Sequence, residues 1–180
     1  MRVFFAFPLP KNLQDMCMKL INDQQSKKHL EEVRWVKQDH LHITVRFIAD
    51  ITALQLNQLT EILPKKLADC ASITLETRRL LLLPPRTPHL VSLSIHLNKE
   101  IANVYRAIND TTTEVGLTPE RRAYVPHISL GRFKHPTVSE FLHITTPPVI
   151  SGTIQQVILY LSEPNEHGSV YTELNTFDLG

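Results

Sequence analysis

The chain has 180 residues, of which 42% are hydrophobic and 21% are charged, and its formal net charge is +1. This balance is typical of a folded globular protein of single-domain size, and it excludes both a disordered chain and a polycation that coats nucleic acid. The sequence has two cysteines, no apolar run of membrane-spanning length and no signal-peptide pattern. We therefore expect one folding unit over residues 1–180, reduced thiols, no membrane contact and a cytoplasmic location.

The first half of the chain alternates predicted strands with predicted helices. Apolar or alternating runs predict strands at Arg2–Leu9, Val33–Val36 and Leu41–Ile48. Helical spacing of apolar residues predicts one helix over Lys11–Lys28 and another that begins at Thr52, where Thr52 and Gln55 resemble a capping box. Pro64 is expected to end the second helix.

The second half is rich in strands joined by turns. Strands are predicted at Ile73–Leu83, His89–Leu97, His127–Phe133, Val149–Leu161 and Val170–Leu179. Asn98 is expected to cap a helix that runs to Gly116, and Glu163–Gly168 to form a hairpin loop. Helices mixed with hairpin-linked strands favour an α+β fold over a doubly wound parallel sheet. The five glycines form neither GxGxxG nor GxxxxGK, which argues against a Rossmann or P-loop nucleotide site.

Two predicted strands carry the same histidine-x-hydroxyl pattern. His42-Ile43-Thr44-Val45 and His127-Ile128-Ser129-Leu130 begin at positions 42 and 127, 85 residues apart, as in an internal repeat. Residues i and i+2 of a strand share a face, so each histidine should project beside its own hydroxyl partner. A third match, His143-Ile144-Thr145, is interpreted as a coincidence because Pro147 and Pro148 follow it and break a strand.

The paired pattern suits the hydrolysis of a cyclic phosphate. In-line attack needs a base that activates water and an acid that protonates the departing ribose oxygen, and histidine serves both roles near neutral pH. Thr44 and Ser129 are expected to hydrogen-bond the non-bridging oxygens and stabilise the charge of the transition state. Arg132 or Arg46 could add a charge-assisted contact to the phosphate.

The sequence around both motifs resembles the 2H phosphoesterase superfamily, specifically the LigT-like RNA 2′,3′-cyclic phosphodiesterases, also called 2′-5′ RNA ligases. The resemblance runs along the chain and lies in five segments: Arg2–Phe7, Arg34–Val36, Leu41–Val45, Tyr124–Leu130 and Gly168–Tyr171. The two histidine motifs are specific to this family when they occur together.

The resemblance implies a bilobal α+β fold with two pseudo-symmetric antiparallel-sheet lobes, outer helices and a central cleft. It implies hydrolysis of RNA or oligonucleotide 2′,3′-cyclic phosphate ends to 2′-phosphate without a metal or cofactor. We also expect a monomer, and only weak 2′-5′ ligation as the reverse reaction of the same site. His42 would be the proton donor and His127 the proton acceptor, while Thr44, Ser129 and Arg132 would bind phosphate. Strand parity alone turns Arg132 away from His127, and a bulge at Gly131 would reconcile the two.

Three residues depart from the family pattern and leave the substrate preference open. His40 stands where the family more often has Asn, Arg46 occupies a usually small or apolar position, and Ala49 replaces a common Gly. Candidates for stacking on a base are Phe4, Phe5, Phe7, Trp35 and Tyr124, although aromatic residues in strands more often belong to the core.

Three alternative functions remain open from the sequence. His40, His42 and His127 could bind zinc, since three histidine nitrogens are a common ligand set. The basic segment from Arg121 to Lys134 could belong to a non-catalytic RNA-binding module. The same two-histidine site could also act on another 2′-linked or cyclic phosphate, such as a 2′-5′ oligonucleotide or ADP-ribose cyclic phosphate.

Overall fold

Strands and helices alternate along the part of the chain that the computed structural model describes, residues 1–25, 33–135, 147–166 and 168–180. The strands in these ranges are β1 (Val3–Pro8), β2 (Val33–Trp35), β3 (His42–Ile48), β4 (Ile73–Leu83), β5 (Leu90–Ile95), β6 (His127–Phe133), β7 (Ser151–Ile154), β8 (Gln156–Asn165) and β9 (Gly168–Asp178). The helices are α1 (Lys11–Gln25), α2 (Ala53–Ala68) and α3 (Lys99–Glu114). His143-Ile144-Thr145 and the predicted end of the first helix lie outside the described residues.

The strands form one antiparallel sheet with the two histidine strands at its centre. Its order is β7-β4-β5-β6-β3-β1-β8-β9, and β2 pairs with the free part of the β6 edge. Each motif strand is therefore the innermost strand of one half of the sheet. One half consists of β6, β5, β4 and β7, and the other consists of β3, β1, β8 and β9. This arrangement confirms the predicted α+β fold of two antiparallel lobes.

The helices cover one face of the sheet and leave the other for the site. On β1, Val3, Phe5 and Phe7 have no exposed surface and join the core that the helices complete. Because strand residues alternate between faces, Ala6 and Pro8 point to the opposite side, where His42 and Thr44 lie beside them in the register of β1 and β3. No helix in the described ranges is long and apolar enough to span a membrane.

Both predicted helix caps are confirmed. The Thr52 side chain accepts a hydrogen bond from the Gln55 amide at 3.2 Å, and the Gln55 side chain accepts one from the Thr52 amide at 3.1 Å, which forms a capping box. Asn98 accepts a hydrogen bond from the Ile101 amide at 2.9 Å and caps α3. Beyond α3, Gly116 has a φ of 83°, the left-handed conformation that glycine adopts most readily after a helix.

The prediction that Pro64 ends α2 is wrong, because the helix continues to Ala68. Leu59, Leu63 and Leu67 are fully buried at a spacing of four residues, so the apolar stripe runs through the proline. Pro64 is itself exposed, where water can solvate the carbonyl that loses its helical hydrogen bond. Burial of Leu67 offsets the cost of an interior proline.

Two strand boundaries near the C-terminus also differ from the prediction. The predicted strand Val149–Leu161 is two strands, since β7 pairs with β4 while β8 pairs with β1 and β9. Only Gln155 separates them, so the sheet curls until its two ends approach each other. No glycine or proline marks this break in the sequence. The predicted loop Glu163–Gly168 is mostly strand, because β8 and β9 stay paired as far as Asn165 and Gly168.

Candidate active site

The two histidine motifs lie on neighbouring antiparallel strands. β3 and β6 pair through Ile43 and Ile128, both of which are fully buried in the core. Extending that register by one residue on each side places His42 opposite Ser129 and His127 opposite Thr44. The two imidazoles then occupy a diagonal of the pair, where Cα atoms are about 7–8 Å apart. Each histidine therefore has two hydroxyl neighbours, one along its strand and one across it.

The two motif strands share the same burial pattern and the same position of a β-bulge. Both follow the same order, with the histidine and the hydroxyl residue half-buried and the aliphatic residues buried. On β3 the pairing with β1 skips Val45, and on β6 the pairing with β5 skips Leu130, so each strand has a bulge at its fourth residue. The repeat seen in the sequence is thus a repeat of structure.

The bulge at Leu130 turns Arg132 toward the site. On β5, Leu90 pairs with Arg132, Ser92 with Ser129 and Ser94 with His127. These three β5 residues alternate with core residues, so they share one face, and their partners on β6 share it too. Arg132 therefore lies on the same face as His127. The irregularity is one residue earlier than the predicted bulge at Gly131.

The two imidazoles are held in the same way. His42 Nδ1 lies 2.8 Å from the His40 carbonyl oxygen, and His127 Nδ1 lies 2.8 Å from that of Val125. A carbonyl oxygen can only accept, so both Nδ1 atoms donate a proton and both Nε2 atoms remain for chemistry. His42 Nε2 is 3.1 Å from Thr44 Oγ1, and the Thr44 hydroxyl donates to it when His42 is neutral.

Burial lowers the pKa of His42 to about 4, although the hydrogen bond to the His40 carbonyl opposes the shift. The positive charges that His40 and His127 can carry lower the pKa further. His42 is therefore neutral in the free protein near neutral pH. A bound phosphate would act in the opposite direction, because an anion beside an imidazole favours the protonated ring.

Aromatic side chains surround His42. Its ring centroid lies 5.0 Å from that of Phe4 and 5.7 Å from that of Tyr171, and Tyr160 stacks on Phe4 at 5.2 Å. A cavity of about 660 Å³ opens beside them, and its lining comprises Pro8, Leu9, Gln14, Gln38, Asp39, His40, Leu41, His42, Tyr160 and Tyr171. Its volume is in the range of small-molecule sites.

Most aromatic candidates from the sequence lie away from this cavity. Phe5 and Phe7 are core residues with no exposed surface. Tyr124 donates a hydrogen bond to the Thr44 carbonyl at 3.1 Å and stacks on Tyr105, so it links β3 to the segment before His127. Sequence reasoning missed Tyr160. Its place between Leu159 and Leu161 in a predicted strand was the available signal, because successive strand residues point to opposite faces.

Arg46 does not face the phosphate site, which corrects the expectation from the sequence. The bulge at Val45 places Arg46 opposite Phe5 on the core face, where its side chain is 9% exposed. Its guanidinium donates to the Thr118 carbonyl at 2.6 Å and pairs with Glu120 at 3.3 Å. Arg46 thus anchors the segment that leads into β6.

Replacing Arg46 with Met should lower the free energy of unfolding by about 1–3 kcal/mol, the usual cost of losing a charged hydrogen bond and stranding its partner. Hydrogen bonds from Arg122, and then the charges of Arg122 and Arg46, lower the pKa of Glu120 from 4.5 to about 2. Because the folded-state pKa is the lower one, ionised Glu120 stabilises the protein above pH 4.5, and this contribution is lost as the pH falls toward 2.

Urea unfolding of the wild type and of Arg46→Met at pH 7 and at pH 1.5, below the folded-state pKa of Glu120, measures this effect. The difference between the two proteins should shrink at pH 1.5, where Glu120 is protonated. Glu114→Gln is the control, since Glu114 pairs with Lys66 in an exposed position that should contribute little. An equal loss from Arg46→Met at both pH values would show that the ion pair with Glu120 is not the cause.

The described residues do not supply the ligands of the zinc alternative. Among them, no three His, Cys, Asp or Glu side chains converge on a possible metal position. The basic segment is also partly neutralised, because the Arg122 guanidinium makes two hydrogen bonds to Glu120, at 3.0 and 2.7 Å. Arg122 is therefore a weaker candidate for RNA binding than its sequence context indicates.

Comparison with known proteins matches the chain to one family. The family model of the 2′-5′ RNA ligase superfamily matches residues 21–164. The RNA 2′,3′-cyclic phosphodiesterase of Methanothermobacter thermautotrophicus is 26% identical over 99% of this chain and 98% of its own length. The protein of the same name from Thermotoga maritima is 21% identical over 97% of this chain and 93% of its own length.

Solved structures share the fold over nearly the whole chain. TT0787 of Thermus thermophilus superposes with a TM-score of 0.85 at 20% identity, covering 99% of this chain and 98% of that one. E. coli LigT in complex with 3′-AMP superposes with a TM-score of 0.82 at 23% identity, covering 99% of this chain and 97% of that one.

Proposed function

The chain belongs to the 2′-5′ RNA ligase superfamily of 2H phosphoesterases, and on this premise we propose that it hydrolyses RNA 2′,3′-cyclic phosphate ends to 2′-phosphates. The observation that carries the proposal is the matched pair of imidazoles. Each donates its Nδ1 proton to a backbone carbonyl, so that Nε2 is the nitrogen that exchanges protons, and each lies on a strand with a hydroxyl residue two positions later. The names of the relatives from Methanothermobacter and Thermotoga support the choice of substrate.

In this mechanism His127 accepts a proton from water and His42 donates one to the leaving oxygen. A bond forms between the water oxygen and phosphorus while the bond from phosphorus to the ribose 3′ oxygen breaks, and the phosphate stays on the 2′ oxygen. The donor role requires protonated His42, whose pKa is about 4 in the free protein. The negative charge of the bound phosphate raises the pKa of His42 and so favours the protonated ring. Proton exchange with solvent afterwards returns both imidazoles to their starting protonation states.

Thr44, Ser129 and Arg132 stabilise the phosphate in this proposal. The two hydroxyls stand beside the imidazoles on the cleft face, where they can donate to the non-bridging oxygens as charge develops. Arg132 lies farther along the same face of β6, and its guanidinium can make paired hydrogen bonds to phosphate.

Thr44→Val and Ser129→Ala should each lower kcat by about 10- to 1000-fold, like the loss of one oxyanion donor. The hydroxyls act on charge in the transition state, so KM should change less than kcat. Steady-state kinetics on a cyclic-phosphate RNA measure both. Ser151→Ala removes an exposed hydroxyl from β7 and should have no effect. A covalently phosphorylated Thr44 or Ser129 trapped during turnover would contradict this role.

The cavity beside His42 is proposed to hold the terminal nucleoside. Both oxygens of the cyclic phosphate belong to the same ribose, so the nucleoside must stay next to the histidine that protonates one of them. Tyr160 and Tyr171 offer aromatic faces, and Gln14, Gln38 and Asp39 offer polar groups to a base edge.

Water is abundant, so ligation through the same site should be weak beside hydrolysis. The monomeric state and cytoplasmic location stay predictions.

Rates on a panel of substrates test the proposal against its alternatives. The panel contains an RNA with a 2′,3′-cyclic phosphate end, a 2′-5′ linked oligoadenylate and ADP-ribose cyclic phosphate, each with and without a chelator. The proposal expects the cyclic-phosphate RNA to react fastest and the chelator to have no effect. Faster cleavage of another substrate would establish that alternative. RNA binding without turnover in the wild type would favour the RNA-binding module.

A further inference from the structure

We propose that Arg34 binds the phosphodiester that precedes the cyclic nucleotide in an RNA chain, with Arg132 lying between that phosphate and the reacting one, which makes oligonucleotide ends better substrates than cyclic mononucleotides. This inference rests on the proposed function and specifies its substrate further. It concerns a second phosphate, adjacent to the one that reacts.

The sheet register places the two arginines side by side. Arg34 on β2 pairs directly with Arg132 on β6. Their neighbours Val33 and Phe133 are paired and buried in the core, so the two arginine side chains leave the sheet on the opposite face, which is the face of the site. Both arginines are exposed. Residues opposed in this way have Cβ atoms about 4.5–5.5 Å apart.

Gly131 makes the close pairing of β2 with β6 possible. A Cβ atom at this position would come within 2.5 Å of a Val33 methyl group and 2.8 Å of the Trp35 ring. Any larger residue would push β2 away and move Arg34 with it.

The position of Arg34 is fixed from a second side. Its guanidinium lies against Gly168 and fills the space that a side chain there would need. Gly168 has a φ of 138°, which other residues rarely adopt. The Arg34 side chain therefore extends from β2 to the tip of the β8–β9 hairpin. Strand β9 also contributes Tyr171 to this end of the cleft.

Two like charges directly opposed on a sheet repel each other. In the described ranges, the ion pairs found involve neither Arg34 nor Arg132. An anion bound between the two guanidiniums would relieve this repulsion. Guanidinium groups match the geometry of phosphate oxygens, so a phosphodiester suits the pair.

The distance from the histidine site to Arg34 fits the spacing of adjacent phosphates in one RNA chain. On β5, the partners of Ser129 and Arg132 are Ser92 and Leu90, two residues apart, which corresponds to about 7 Å along a strand. Arg34 lies one strand beyond, about 4.8 Å further across the sheet. A phosphate held at His42 and Ser129 would thus have its neighbour within reach of Arg34. In an RNA that ends in a cyclic phosphate, that neighbour is the 5′ phosphodiester.

Three substrates isolate this contact: 2′,3′-cyclic AMP, the dinucleotide ApA with a 2′,3′-cyclic phosphate end, and the same dinucleotide with a neutral methylphosphonate linkage. In the wild type, kcat/KM should be highest for the charged dinucleotide, mainly through a lower KM. Arg34→Gln should reduce kcat/KM for that substrate by about tenfold, as expected for one exposed charge-assisted contact. The kcat/KM of Arg34→Gln for 2′,3′-cyclic AMP and for the neutral dinucleotide should equal that of the wild type.

Arg106→Gln is the matched control, because Arg106 is exposed on α3 and its replacement changes the net charge equally. It should leave all three substrates unaffected. The advantage of the charged dinucleotide should also shrink as salt is raised. If wild type and Arg34→Gln treat the charged and neutral dinucleotides alike, the subsite is absent while the proposed function stands. If the wild type hydrolyses none of the three, the proposed function is wrong and this inference falls with it.

Discussion

Replacing His127 with Ala should lower kcat on a cyclic-phosphate RNA by about 10²–10⁴-fold, the usual contribution of a positioned general base. Without the imidazole, no group on β6 can take the proton from the attacking water. Substrate binding should survive, because the hydroxyls and Arg132 still hold the phosphate. The measurement is kcat and KM across the pH range.

His89→Ala is the control for His127→Ala. His89 also places its Nδ1 near the carbonyl two residues before it, that of Thr87 at 3.3 Å, but it lies in the exposed connection between β4 and β5. Its removal should leave kcat unchanged. The wild-type rate should be bell-shaped in pH, and His127→Ala should lose the limb due to the base. The two limbs belong to the coupled pair of histidines and not to either one alone. Full activity of His127→Ala would exclude the two-histidine site.

Replacing His42 with Ala should cause a loss of similar size on RNA, and this loss should depend on the leaving group. An oxygen that leaves readily needs little protonation, so a diester with a nitrophenolate leaving group should rescue His42→Ala far more than His127→Ala. The pair of variants therefore separates the acid from the base. The pH profile of the wild type alone cannot do so, because either assignment needs one protonated and one neutral imidazole.

This test matters because the low pKa of His42 would also suit a base. A neutral His42, whose Nε2 carries no proton and accepts a hydrogen bond from Thr44, is the form that a proton acceptor requires. If the nitrophenyl substrate rescues His127→Ala instead, the two roles are reversed. Equal rescue of both variants, or none for His42→Ala, would also contradict the assignment while leaving the two-histidine site intact.

The parts of the site with a regular strand period could be predicted from the sequence. His42 with Thr44, and His127 with Ser129, follow from the alternation of side chains along a strand, and the repeat of the motif indicated that the two strands belong together. Both helix caps have local sequence signals and were predicted for the same reason.

Features that depend on the pairing of distant strands could not be predicted in this way. The bulge at Val45 exists only relative to β1, and it sends Arg46 into the core instead of the site. The proposed anion site has the same origin, since only the register of β2 against β6 brings Arg34 beside Arg132. The break at Gln155 also follows from closure of the curled sheet and leaves no local mark in the sequence.

The product formed from a short RNA with a 2′,3′-cyclic phosphate end tests the proposed activity most directly. Phosphorus NMR or chromatography can separate 2′-phosphate from 3′-phosphate ends. The wild type should convert the RNA to the 2′-phosphate, and a double variant with Ala at positions 42 and 127 should convert none. A 3′-phosphate product, no product from the wild type, or product from the double variant would contradict a two-histidine 2′,3′-cyclic phosphodiesterase.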